Sequence, residues 1–189
     1  RYIGSDKLIA TIIPIAILAN FVYAPISVLL AAWAKDVVKA GAQGYGLLES
    51  SFLVGNLAGT LAASTLATRW RRGRMMPWCI VMMGLPLIGF AAAPNLYADV
   101  GMLAVAGFTN GIINIVLLTT FQQRVPNHLM GRFFGTLGAL FMVATPLGIA
   151  IGGILGDLLP LSVLFTAMGL LTAGIGVAMF RIPVITELE

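Results

Sequence analysis

Six long apolar stretches, joined by connections of eleven residues or fewer, leave this chain few ways to fold. They run over 8–34, 45–68, 75–93, 96–121, 133–156 and 161–180. About 20 helical residues cross a hydrocarbon core of about 30 Å, so each stretch is of spanning length. Connections this short make neighbouring spans antiparallel and leave no room for a soluble domain. Charged residues are only 10% of the chain and hydrophobic ones 59%, against about 25% charged in soluble domains. A soluble chain of this size cannot enclose so much apolar surface, so the solvent is lipid. The expectation is an all-α integral membrane protein with a lead-in over 1–7, a six-helix bundle over 8–181 and a tail over 182–189. The first span is longer than it needs to be, and Pro14 and Pro25 give it places to bend.

The basic residues fix an orientation. Arg1, Lys7, Arg69, Arg71, Arg72, Arg74, Arg124, Arg132 and Arg181 fall on one side, nine against the two of Lys35 and Lys39. Under the positive-inside rule both termini are cytoplasmic. Topology therefore explains the net charge of +4 better than nucleic acid does, since the basic residues sit mostly in short connections. Cys79 is the only cysteine and lies in an apolar stretch, which excludes an intrachain disulfide and a thiolate metal cluster. The first stretch is too long for a signal-peptide core and has no small-residue cleavage site after it. The chain opens on Arg1 without Met and closes on Leu188-Glu189, a pair that cloning sites leave. A fragment or an engineered end is expected.

The six spans differ in character. Gly55 and Gly59, Gly107 and Gly111, and Gly148 and Gly152 stand four apart in the second, fourth and fifth spans. Glycines at that spacing let two backbones approach, which places these spans at the bundle centre, although glycine is common in membrane helices generally. Asn20 and Tyr23 mark the first span, Glu49, Asn56 and Thr60 the second, Asn110 and Asn114 the fourth. The third and sixth carry no Asn, Gln, Asp, Glu, Lys or Arg in their cores. Unsatisfied polar groups cost several kcal/mol in lipid, so the polar spans should face a wet cavity or one another and the third and sixth should face lipid.

Glu49 reads as the only carboxylate within a span, one turn from the non-cytoplasmic end. It shares a helical face with Asn56 and Thr60. Two readings stand: a protonatable group on a substrate path, or an interfacial Glu hydrated from outside or capping its helix. Asn110 and Asn114 share a face of the fourth span, where they either bond a substrate or tie that span to the first. His128, the one histidine, has no second ligand nearby, so no metal is expected. No phosphate loop, nucleophile elbow or zinc signature is present, and neither an enzyme nor a cofactor is expected.

One connection is more specific: Gln123-Arg124-Val125-Pro126-Asn127-His128-Leu129-Met130-Gly131-Arg132-Phe133. Gly46-Leu47-Leu48-Glu49 opens the second span, Arg69-Trp70-Arg71-Arg72-Gly73-Arg74 follows it, and Pro146-Leu147-Gly148 leads to Gly152-Gly153 and Gly156-Asp157. Together these resemble the C-terminal six-helix half of the major facilitator superfamily, in its enterobactin-exporter and macrolide-efflux branch. Met130 stands where that branch carries Arg, and Thr68 where the loop motif carries Asp. The resemblance implies two inverted three-helix repeats and secondary transport by alternating access. It also puts the first, second, fourth and fifth spans around a central cavity, the division that polarity gives apart from the fifth, which has only Thr136 and Thr145.

On that resemblance the expected function is half of a proton-coupled exporter of drugs or other amphipathic small molecules in a bacterial inner membrane. Asn20, Tyr23, Glu49, Asn56, Asn110 and Asn114 would line the path, and Arg69, Arg71, Arg72, Arg74, Arg124 and Arg132 would form the cytoplasmic gate. Its partners would be membrane lipid, a small substrate, and an N-terminal six-helix half or a second copy, with no nucleic acid. The rival readings are a non-transporting, self-associating module and a lysophospholipid-type lipid transporter.

Overall fold

The computed structural model describes residues 6–69, 72–92 and 94–186, and it is helical nearly throughout. Helix α1 (Lys7–Tyr23) starts where the Asp6 carboxylate accepts the backbone N–H groups of Leu8 at 2.9 Å and Ile9 at 3.3 Å, as an N-cap does. Pro25 brings no N–H, so α1 gives way there to α2 (Ile26–Ala32), which runs into a π-helical turn, Trp33–Val37. Pro14 lies inside α1 without interrupting it. Lys39 and Gly41, at φ of 56° and 59°, then reverse the chain.

Helix α3 (Gly41–Arg69) starts four residues before the expected span, and α4 (Arg72–Ala92) follows it. Helix α5 (Leu96–Arg124) is capped by Asn95 and stops at Val125, ahead of Pro126. A single 3₁₀ turn, Asn127–Leu129, leads into α6 (Met130–Leu158), then α7 (Leu161–Met179) and the short α8 (Pro183–Thr186).

Among the described residues, five segments are long and apolar enough to cross a membrane: Lys7–Val37, Gly73–Phe90, Leu96–Arg124, Asn127–Leu158 and Leu161–Met179. Helix α3 is missing from that set although it has 29 residues. Glu49, Asn56, Thr60 and its glycines dilute its apolar residues. Of the six expected spans, five reach that length and apolarity among the described residues.

Glycine governs how the helices meet. A Cβ on Gly55 or Gly59 would run into the carbonyl of Ala104 or Phe108, and one on Gly107 or Gly111 into that of Phe52 or Asn56. Helices α3 and α5 thus press backbone to backbone along four glycines. Gly148 faces the Phe21 carbonyl and Gly152 faces Pro25, which brings α6 onto α1 and α2. Instead of one centre, the glycines build separate seams. A third seam, unread in the sequence, joins α4 to α7: a Cβ on Gly84 would lie 2.6 Å from the Gly169 carbonyl, and one on Gly176 would lie 2.9 Å from that of Pro77. Gly169 and Gly176 are seven apart, outside the four-residue pattern.

Helix α4 packs on both α5 and α7 and is the most enclosed of the five spanning segments, while the one containing α6 is the least. Bare apolar faces lie on α3, at Leu53, Val54, Leu57 and Leu61, and on α6, at Met142, Val143 and Ile154. Lack of polar residues says what a helix can touch, not how many neighbours it has.

Candidate functional site

Between α1, α4 and α5 lies a cavity of about 130 Å³, lined also by Phe141 of α6 and Met179 of α7. Its walls are mainly apolar, with Met76, Met83, Ile80 and Ile113 prominent. Methionine is unbranched and polarizable and adapts to varied apolar shapes. Four polar side chains enter this wall: Asn20 and Tyr23 from α1, Asn110 and Asn114 from α5.

Asn110 is the hub of the polar group. Its Oδ1 accepts from Asn56 Nδ2 and from Asn114 Nδ2, both at 2.9 Å, while its own Nδ2 points to the Met83 sulfur at 3.7 Å. Across the cavity, Asn20 Oδ1 accepts from Thr145 Oγ1 at 2.9 Å, which joins α1 to α6. Among the described residues, Asn20 Nδ2 and Asn114 Oδ1 have no protein partner. The cavity therefore offers a ligand one amide donor and one amide acceptor.

A second cavity, of about 220 Å³, is lined by Tyr23, Ala24, Ile26, Ser27, Leu30, Glu49, Phe52 and Leu103. Glu49 is half-buried there and accepts from the Tyr45 hydroxyl at 3.3 Å. Tyr23 borders both cavities; its ring lies 6.2 Å from Phe52 and its enclosed hydroxyl has no partner among the described residues.

The six residues expected on a path are thus divided. Asn20, Tyr23, Asn110 and Asn114 meet in the first cavity, Glu49 shares the second with Tyr23, and Asn56 lines neither. Asn56 sits in the α3–α5 seam, and Thr60 stands against Gly111 in that seam. The shared face of Glu49, Asn56 and Thr60 meets a helix over most of its length, because the glycines bring α5 onto it.

Among the arginines expected at a gate, Arg124 lies 3.6 Å from Asp6 and so ties the end of α5 to the start of α1. Arg74 and Arg132 are exposed. Arg69 and Arg72 end and begin helices, with side chains outside the description, and Arg71 lies outside the described residues, as do Arg1 and Leu188-Glu189. Asp6→Asn keeps a capping oxygen and removes the charge, so stability should change by less than about 1 kcal/mol, the worth of an exposed pair. Asp6→Ala should cost about 1 kcal/mol more through the lost cap. Thermal unfolding of both variants separates the two contributions.

One carboxylate escaped the sequence reading. Asp99 lies inside the fourth span's own bounds and is fully enclosed, with Oδ2 accepting from the Trp33 indole N–H at 2.9 Å. The signal in the sequence is an acid four residues into an apolar run, in the first turn after the Asn95 cap.

A sequence profile of the Major Facilitator Superfamily matches residues 9–187. Among curated proteins, the multidrug efflux pump Tap of Mycolicibacterium fortuitum is 27% identical over 190 aligned positions, covering 100% of this chain and 46% of Tap. Tap of Mycobacterium tuberculosis (strain ATCC 25618 / H37Rv) is 28% identical over the same share of this chain and 45% of its own length. Macrolide efflux protein A of Streptococcus pyogenes is 24% identical over 97% of this chain and 45% of that protein. The chain spans about half the length of the curated relatives it matches.

Proposed function

The chain belongs to the major facilitator superfamily, and from that membership we propose that it is the C-terminal half of an exporter of small amphipathic molecules. The family is one of transporters, not enzymes, and the chain is an integral multi-pass membrane protein. The observation that carries the proposal is the first cavity: an apolar, methionine-rich wall with an amide donor and an amide acceptor suits a ligand that is mostly apolar with few polar groups. The efflux activity named for Tap and macrolide efflux protein A points the same way.

In this reading α3 also crosses the membrane as the second span, and the six spans form two inverted three-helix repeats over 8–181, with both termini cytoplasmic in a bacterial inner membrane. A second six-helix body, an N-terminal half or another copy, covers the bare faces of α3 and α6. The Asp6–Arg124 pair closes the cytoplasmic end in one rocked state and opens in the other. Glu49, which can reach the first cavity only past Tyr23, carries a coupling proton.

The test is proton-driven efflux of a fluorescent amphipathic amine from membrane vesicles containing the complete transporter. Glu49→Gln should lower it about tenfold, a usual size for a coupling free energy, at unchanged protein level. An unaltered proton dependence would remove Glu49 from the mechanism, and no efflux by the parent protein would remove the exporter reading.

A further inference from the structure

The end of the bundle opposite the Asp6–Arg124 pair is closed by four side chains from four helical segments. Trp33 opens the π-helical turn after α2, Phe90 comes from α4, Asp99 from the first turn of α5 and Phe165 from α7. The Trp33 ring stands 5.5 Å from Phe90 and 5.2 Å from Phe165, and the two phenylalanines stack at 5.3 Å. All four side chains are sealed from solvent. Inside this aromatic box the Asp99 carboxyl has two neutral donors, the indole N–H on Oδ2 and the backbone N–H of Asn95, and within hydrogen-bond distance its enclosed Oδ1 has no partner among the described residues.

Opposing forces act on that carboxyl. The first turn of a helix favours negative charge, and so does a donated N–H. Enclosure away from bulk solvent penalises an unpaired charge. The charged and titratable residues of the elements meeting at this end do not resolve the balance. Lys35, Asp36, Lys39 and Asp157 are exposed, Tyr45 is bonded to Glu49, and none bonds Asp99 among the described residues. A group held this way changes charge when its box opens.

We propose that Asp99 is a proton-binding site, separate from Glu49, that takes a proton on Oδ1 when the Trp33 box is closed and releases it to water when the outer ends of the first and fourth spans part. The step moves one proton between bulk water and a carboxylate and no electrons. The π-helical turn that carries Trp33 supports it, since single π-turns recur at functional sites. The proposal adds a site to the exporter reading, but its test does not depend on transport.

Trp33 reports its own hydrogen bond. With Trp70 and Trp78 replaced by phenylalanine, the emission of the remaining Trp33 should shift in one step as pH is varied, in the protein held in nanodiscs in the assembly it forms in its membrane. The step should persist in Glu49→Gln and vanish in Asp99→Asn. No step, or a step that survives Asp99→Asn, overturns the proposal. Should Asp99→Asn fail to fold, Trp33→Phe keeps the ring and removes the donor. The infrared band of the protonated carboxyl should then titrate at a different pH from the parent's, and an unmoved midpoint overturns the proposal. If these shifts appear while vesicles show no efflux, the exporter reading fails and the proton site stands.

Discussion

Gly59→Ala is expected to lower the stability of the bundle by about 3 kcal/mol, the upper end of the usual cost of overpacking. The new Cβ would fall on the carbonyl of Phe108, which belongs to a facing helix backbone and cannot rotate away. Helices α3 and α5 must separate to admit it, and the separation strains the Asn56–Asn110 bond between the same two helices. Helix propensity works in the other direction, since alanine gains about 1 kcal/mol over glycine in a helix interior, so steric exclusion has to overcome that gain. Gly153→Ala is the internal control. Nothing lies within 4 Å of a Cβ placed there, so only the propensity gain remains, and stability should hold or rise by up to about 1 kcal/mol. Circular dichroism melts of the two variants in the same detergent decide the matter. Equal stabilities would mean that the α3–α5 seam is not the tight contact described here.

Asn110→Leu should damage both stability and ligand binding, whereas Asn56→Leu should damage stability alone. Each substitution removes the 2.9 Å bond across the α3–α5 seam. Interhelical bonds in membranes average about 0.6 kcal/mol with maxima near 1.7, so Asn56→Leu should cost about 1 kcal/mol. Asn110→Leu removes a second accepted bond as well, from Asn114, and should cost about 2 kcal/mol. Asn110 also lines the first cavity, which Asn56 does not. Without Asn110 the Asn114 amide loses the partner that orients it, and affinity for an amphipathic ligand should fall about tenfold, the equivalent of about 1.4 kcal/mol. Fluorescence-quenching titrations with the complete transporter, alongside melts, give both numbers. Equal affinities in the two variants would detach the cavity from binding.

Helices α3 and α5 show how far local pattern reaches. Gly55, Gly59, Gly107 and Gly111 were readable as two four-residue pairs, because such spacing has one common use in membranes. That the two pairs face each other was not readable, since periodicity describes one helix and not its partner. The α4–α7 seam was missed for the same reason: Gly84 is a single glycine and becomes a contact only once Gly169 lies across from it. At the candidate site, Asn20, Asn110 and Asn114 stood out as polar groups in apolar runs, while Met76, Met83 and Met179 looked like ordinary span residues until the cavity placed them together. Asp99 was visible but undervalued. An acid beside a helix start reads as solvated unless Trp33, 66 residues earlier in the chain, is known to cover it.

The amino-acid sequence alone determined that this chain lives in lipid and which family it belongs to. Those properties follow from hydropathy and a short motif, each set by residues near one another in the chain. Tertiary structure alone decided which helices are enclosed, which asparagines share a cavity and which bond across a seam, and that Asp99 is sealed behind an indole. Those outcomes depend on the distance between backbones, and that distance is set jointly by two helices far apart in sequence.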